Sequence, residues 1–136
     1  METKKITVVA CSGASNTGQY SDVVARKLME SGQAKMLCLA RFSVDMKFAE
    51  QSKTEIGKLI VLDGCPINCA ERTMLETGIT NFIHLNTTDF GITKGVTPVT
   101  DEKVSEIANH IKSIFSVAEQ ETLIIPPDSE NLKMEN

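Results

Sequence analysis

The chain has 136 residues, 41% of them hydrophobic and 24% charged, and a formal net charge of -4. That length suits one domain, which buries about two-thirds of its unfolded surface without disulfide staples. An acidic balance with no Lys/Arg cluster longer than a pair excludes a nucleic-acid-binding domain, since nothing is available to neutralise phosphates.

Residues 6–10, Ile-Thr-Val-Val-Ala, form a short β-branched run ahead of a Gly/Ser/Asn-rich loop at 12–18. This is the pattern of a first strand buried on both faces of a parallel sheet. Lys4 and Lys5 before that run, and Cys11 after it, superficially match a lipoprotein export signal. The run falls short of the roughly 7 to 15 apolar residues a signal core needs. No stretch approaches the roughly 20 apolar residues of a membrane span. The expectation is therefore a cytoplasmic protein without a membrane partner, whose cysteines sit in a reducing compartment.

Between residues 19 and 30, Tyr20, Val23, Val24 and Leu28 recur at helical spacing, and Gly32 stands where a C-terminal cap would. Residues 34–40 read as a second strand and 45–55 as a weaker helix. Residues 58–63, Lys-Leu-Ile-Val-Leu-Asp, are the clearest strand. Pro66 suits the first position of a helix that Gly78 ends. A fourth strand is expected at 81–85, followed by a loop to Pro98. Thr100 caps a last helix whose Val104, Ile107, Ala108, Ile111, Ile114 and Phe115 form an apolar stripe. Residues 1–118 then make one domain, and 119–136 a polar tail with little to bury.

Strands alternating with helices predict an α/β three-layer sandwich. It holds a four-stranded, mainly parallel sheet of order 2-1-3-4, with helices on both faces. Ligands of such sheets bind at the C-terminal strand ends where the winding reverses, here between strands one and three. Cys11 follows the first of these strands and Cys65 the third. Placed at the N-cap of a helix starting at Pro66, Cys65 shares a face of its first turn with Cys69. Cys38 joins them only if the second strand ends near Leu39.

Four thiols at one edge match a closed tetrahedral zinc site. Free cysteine is also a common core residue, and Cys38 within Met36-Leu37-Cys38-Leu39 suits packing equally well. His84, inside a strand, and His110, inside the last helix, read as structural or surface residues. Asp63 reads as a strand-ending carboxylate that caps a turn.

Three segments carry a family resemblance: 11–19, Cys-Ser-Gly-Ala-Ser-Asn-Thr-Gly-Gln; 36–40, Met-Leu-Cys-Leu-Ala; and Asp63-Gly64-Cys65-Pro66 with Cys69. Together they resemble the DGC-domain family of prokaryotic zinc-binding proteins, from about Thr7 to Lys94. The resemblance implies zinc held by Cys11, Cys38, Cys65 and Cys69, with an iron–sulfur cluster as the alternative four-cysteine cofactor. The metal ion is then the expected partner, and no protein partner is indicated. A different reading is a thiol-dependent enzyme or redox switch, in which Cys65 or Cys69 is activated by a helix N-terminus and a neighbouring thiol resolves the product. Cys11 and its loop also look like the anion cradle of small tyrosine phosphatases and arsenate reductases. Phosphatase chemistry needs an arginine six residues after the cysteine, where this chain has Thr17.

Overall fold

A computed structural model describes residues 6–124. The strands are β1 (Ile6–Ala10), β2 (Ala34–Met36), β3 (Leu59–Asp63) and β4 (Ile83–Asn86). The helices are α1 (Asn16–Glu30), α2 (Leu39–Val44), α3 (Met46–Glu55), α4 (Cys69–Glu76) and α5 (Asp101–Ile124). All neighbouring strands pair in parallel, in the expected order β2-β1-β3-β4. The part of the expected tail beyond Ile124 lies outside the described residues. Among the described residues no helix is long and apolar enough to cross a membrane.

The period-2 alternation of the strands divides the core into two layers. Val8, Ala10, Ile60 and Leu62 face Tyr20, Val24 and Leu28 of α1 and Val104, Ile107 and Ile111 of α5. Val9, Leu59 and Val61 face the opposite way, onto Phe42 of α2, Ala49 of α3 and Ala70 and Met74 of α4. All five residues of β3 are buried, as its unbroken apolar run requires of a central strand. Each large aliphatic side chain withdrawn from water in this way contributes about 1.5–3 kcal/mol.

The loop at 91–99 is tied to α1 by side chains. The Asn16 amide donates to the carbonyls of Thr93 and Thr97 and accepts from the Gly95 N–H. The Tyr20 hydroxyl donates to the Pro98 carbonyl at 2.6 Å and accepts from the Thr100 N–H. Thr100 caps α5 as expected, its hydroxyl accepting from the Lys103 N–H.

Two expected boundaries move, and both displace cysteines. The second strand ends at Met36 rather than near Leu39, because the chain turns into α2 with Cys38 at its N-cap. The helix expected from Pro66 begins three residues later, at Cys69. Its N-cap is Asn68 in the left-handed conformation (φ 56°, ψ 50°), and Cys65 lies in the preceding turn, its carbonyl accepting from the Asn68 N–H.

Candidate functional site

The C-terminal ends of β1 and β3 lie side by side, and each leads through a short turn to a helix. After β1, the Cys11 N–H continues the ladder to the Leu62 carbonyl at 2.9 Å. The loop then closes locally, because the Ser15 hydroxyl caps α1 by accepting from the Gly18 N–H and also bonds Thr17 Oγ1. This self-capping takes up the Gly18 N–H.

After β3, the turn closes through tertiary contacts. Parallel register sets His84 beside Val61 and Asn86 beside Asp63, so Asp63, His84 and Asn86 all project toward the α4 face. The Asp63 carboxylate, 1% exposed, accepts from the N–H groups of Ala70 at 2.7 Å and Glu71 at 3.0 Å, and its Oδ2 lies 2.8 Å from His84 Nε2. His84 Nδ1 faces Glu71 Oε2 at 3.6 Å. Asp63 therefore caps the first turn of α4 from the preceding strand, where the sequence suggested a cap on its own turn. The helix amides expected to activate a cysteine are largely engaged by this carboxylate.

Gly64 permits the close approach between the two turns. A Cβ there would stand 2.5 Å from the Gly18 nitrogen and 2.6 Å from the Gly18 Cα, both backbone atoms that cannot move aside. Gly18 in turn packs on Gly13, where a Cβ on Gly18 would meet the Gly13 nitrogen at 2.9 Å. Backbone stacked on backbone thus fixes the distance between the Cys11 and Cys65 segments.

All four cysteines are free thiols; Cys11 and Cys65 are half-buried, and Cys38 and Cys69 are exposed. Burial pushes the Cys11 thiol above its ordinary 9.0, and the charges of Asp63, Cys69 and Cys65 push in the same direction against a hydrogen bond from the Gly13 backbone. Cys38 opens onto a groove of about 470 Å³ shared with Ser12, Met29 and Met36, beside Arg26, which pairs with Asp22 at 2.9 Å. His110 is exposed, its ring edge-on to Phe90.

The expected four-cysteine metal site is not formed. Among the described residues no three His, Cys, Asp or Glu side chains are arranged to hold a metal ion. The zinc assignment, its iron–sulfur alternative and the metal ion as partner are corrected accordingly. Two shifted boundaries accompany this: Cys38 is exposed at the N-cap of α2, and Cys65 lies in the turn before α4 rather than on the helix with Cys69. Cys11, Cys65 and Cys69 occupy the same edge of the sheet without sharing a coordination sphere. Of the polar partners of this edge, Asp63 and His84 take capping and structural roles as expected, and Asn86 was not singled out in the sequence. Its signal was the alternation Ile83-His84-Leu85-Asn86, which aims two polar side chains at one face.

Fold and site together define a small parallel α/β protein with free thiols along the C-terminal edge of its sheet. The chain belongs to the DGC-domain family, whose DGC domain matches residues 7–111. It is 29% identical over 87 residues to the anaerobic and virulence modulator AnvM of Pseudomonas aeruginosa, a match covering 64% of this chain and 66%, just under two-thirds, of that protein. No solved structure matches.

Proposed function

We propose that the protein is a thiol redox switch in which Cys69, the first residue of α4, reacts first and Cys65 resolves the product. The observation that carries this reading is the contrast among three thiols on one edge. Cys69 is exposed, Cys65 is half-buried four residues before it, and burial pushes the Cys11 thiol above its ordinary value. Reagent access and thiolate character decide which cysteine reacts, and Cys11 is disfavoured on the second count.

With a small-molecule disulfide such as oxidised glutathione as co-reactant, the Cys69 thiolate attacks one sulfur and releases one glutathione thiolate. The Cys65 thiolate then attacks Cys69 Sγ of the mixed disulfide and releases the second. Two electrons pass from the cysteine pair to glutathione, and a Cys65–Cys69 disulfide remains. The cytoplasmic location expected from the sequence belongs to this proposal, because a reducing compartment holds the resting state as the dithiol. The Pseudomonas relative is an anaerobic and virulence modulator, which supports a response to redox conditions.

The test is equilibration with oxidised and reduced glutathione, acid quenching, alkylation and peptide mapping. A Cys65–Cys69 disulfide is expected, with Cys69→Ser abolishing it and Cys38→Ser leaving it unchanged. Four thiols that stay free at every ratio, or that form only isolated mixed disulfides, overturn the proposal.

A further inference from the structure

The turn that joins Cys65 to α4 is held by one side chain from the neighbouring strand. Asn86 is buried, and its amide nitrogen donates to the Cys65 carbonyl at 2.8 Å and to Asn68 Oδ1 at 2.9 Å. Its amide oxygen accepts from the Thr88 N–H at 3.1 Å and the Thr88 hydroxyl at 2.6 Å. An asparagine amide offers two N–H donors and two lone pairs, and here each has a partner. With the amide reversed, its oxygen would face the Cys65 carbonyl oxygen. The bonding pattern therefore fixes both the residue type and its orientation.

The segment held in this way is strained. Asn68 is the one non-glycine residue with positive φ among the described residues. The left-handed conformation costs an L-residue roughly 1–2 kcal/mol, and a side-chain hydrogen bond is the usual compensation for asparagine. Asn86 supplies that bond, and on the same amide nitrogen it grips the backbone of Cys65.

We infer that Asn86 is the positioning residue of the Cys65–Cys69 pair, holding the turn in its dithiol form and so setting how readily the pair is oxidised. The inference rests on the redox reading above. Cys65 and Cys69 are free thiols in the clamped turn, and closing a disulfide demands a narrow range of Cβ separations and dihedral angles, so bonds that fix the Cys65 backbone hold the dithiol form. Contacts that stabilise the reduced form make a pair more oxidising. Removing the clamp should therefore favour the disulfide.

In glutathione redox buffers, Asn86→Ala is expected to shift the dithiol–disulfide equilibrium about tenfold toward the disulfide, equivalent to about 30 mV. Asn86→Asp separates this role from the cap on Thr88, because it keeps an oxygen for Thr88 and loses the donors to Cys65 and Asn68. It should shift the equilibrium in the same direction as alanine, and it serves alone if the alanine variant does not fold. An unchanged equilibrium in folded variants, a shift toward the dithiol, or wild-type behaviour in Asn86→Asp overturns the inference.

Failure of the redox reading itself is distinct, since the wild type would then form no Cys65–Cys69 disulfide at any ratio. In that event the clamp is read from alkylation by iodoacetamide, where Asn86→Ala should raise the rate at Cys65 relative to Cys11 by about tenfold. An unchanged ratio overturns it.

Discussion

The two strand-to-helix turns at the C-terminal edge of the sheet solve the same problem in opposite ways. The turn after β1 closes on itself: Ser15 caps α1 from the adjacent position, accepting from the Gly18 N–H. The turn after β3 has no such local cap. Asp63 reaches forward to the amides of Ala70 and Glu71, His84 and Asn86 brace it from β4, and Asn68 takes a left-handed conformation at the N-cap. The locally capped turn carries the half-buried Cys11, whereas the turn braced from outside leads to the exposed Cys69. The β1 turn is also tied to the rest of the fold, Asn16 to the loop at 93–97 and the Thr17 carbonyl to the Thr87 hydroxyl, so the two turns differ in where the helix cap comes from.

The sharpest way to break this contrast is at the glycine where the two turns meet. Gly64→Ala should destabilise the fold by about 3 kcal/mol, the upper end of overpacking costs, because the new methyl meets the backbone of Thr17 and Gly18 at the start of α1. Urea denaturation measures it, and a near-neutral result would mean that the turns are not in rigid contact. Asp63→Asn should cost about 2 kcal/mol by weakening charge-assisted hydrogen bonds to two helix amides and to His84, and it should raise amide exchange in the first turn of α4. Ser15→Ala, on the self-capped side, should cost about 1 kcal/mol and leave exchange in α4 unaltered.

The smallest effect is one of pH. The folded chain keeps the Cys11 proton where the unfolded chain, with a thiol near its ordinary 9.0, loses it. The stability this contributes is fully present below the unfolded value and is lost as pH rises through the raised folded value. Urea midpoints measured between about pH 8 and pH 10 should fall less steeply for Cys11→Ser than for the wild type. Parallel slopes would show that Cys11 is not shielded.

Much of the fold was legible from residue patterns. The run Leu-Ile-Val-Leu at 59–62 could be little other than a central strand, and the spacing of Val104, Ile107, Ala108 and Ile111 forced a core-facing helix. Alternation of the elements then sufficed for the strand order. The site was legible only in part. Cys11 and Cys65 were rightly assigned to adjoining strand ends, but the metal they were expected to share requires sulfur positions set to a fraction of an ångström. Boundary shifts of a few residues, at Met36 and at Cys69, accompany its absence among the described residues.

The sequence by itself determined the layers, the parallel order and the edge on which the thiols lie. Each of these follows from periodicity, which repeats over many residues and averages out local exceptions. Only the tertiary structure decided what that edge is. The left-handed turn at Asn68 depends on Asn86, which is 18 residues away in the chain and adjacent only through the register of β3 with β4. A strained turn held from a neighbouring strand leaves no periodic trace, because the free energy that selects it comes from contacts that exist only once the sheet has formed.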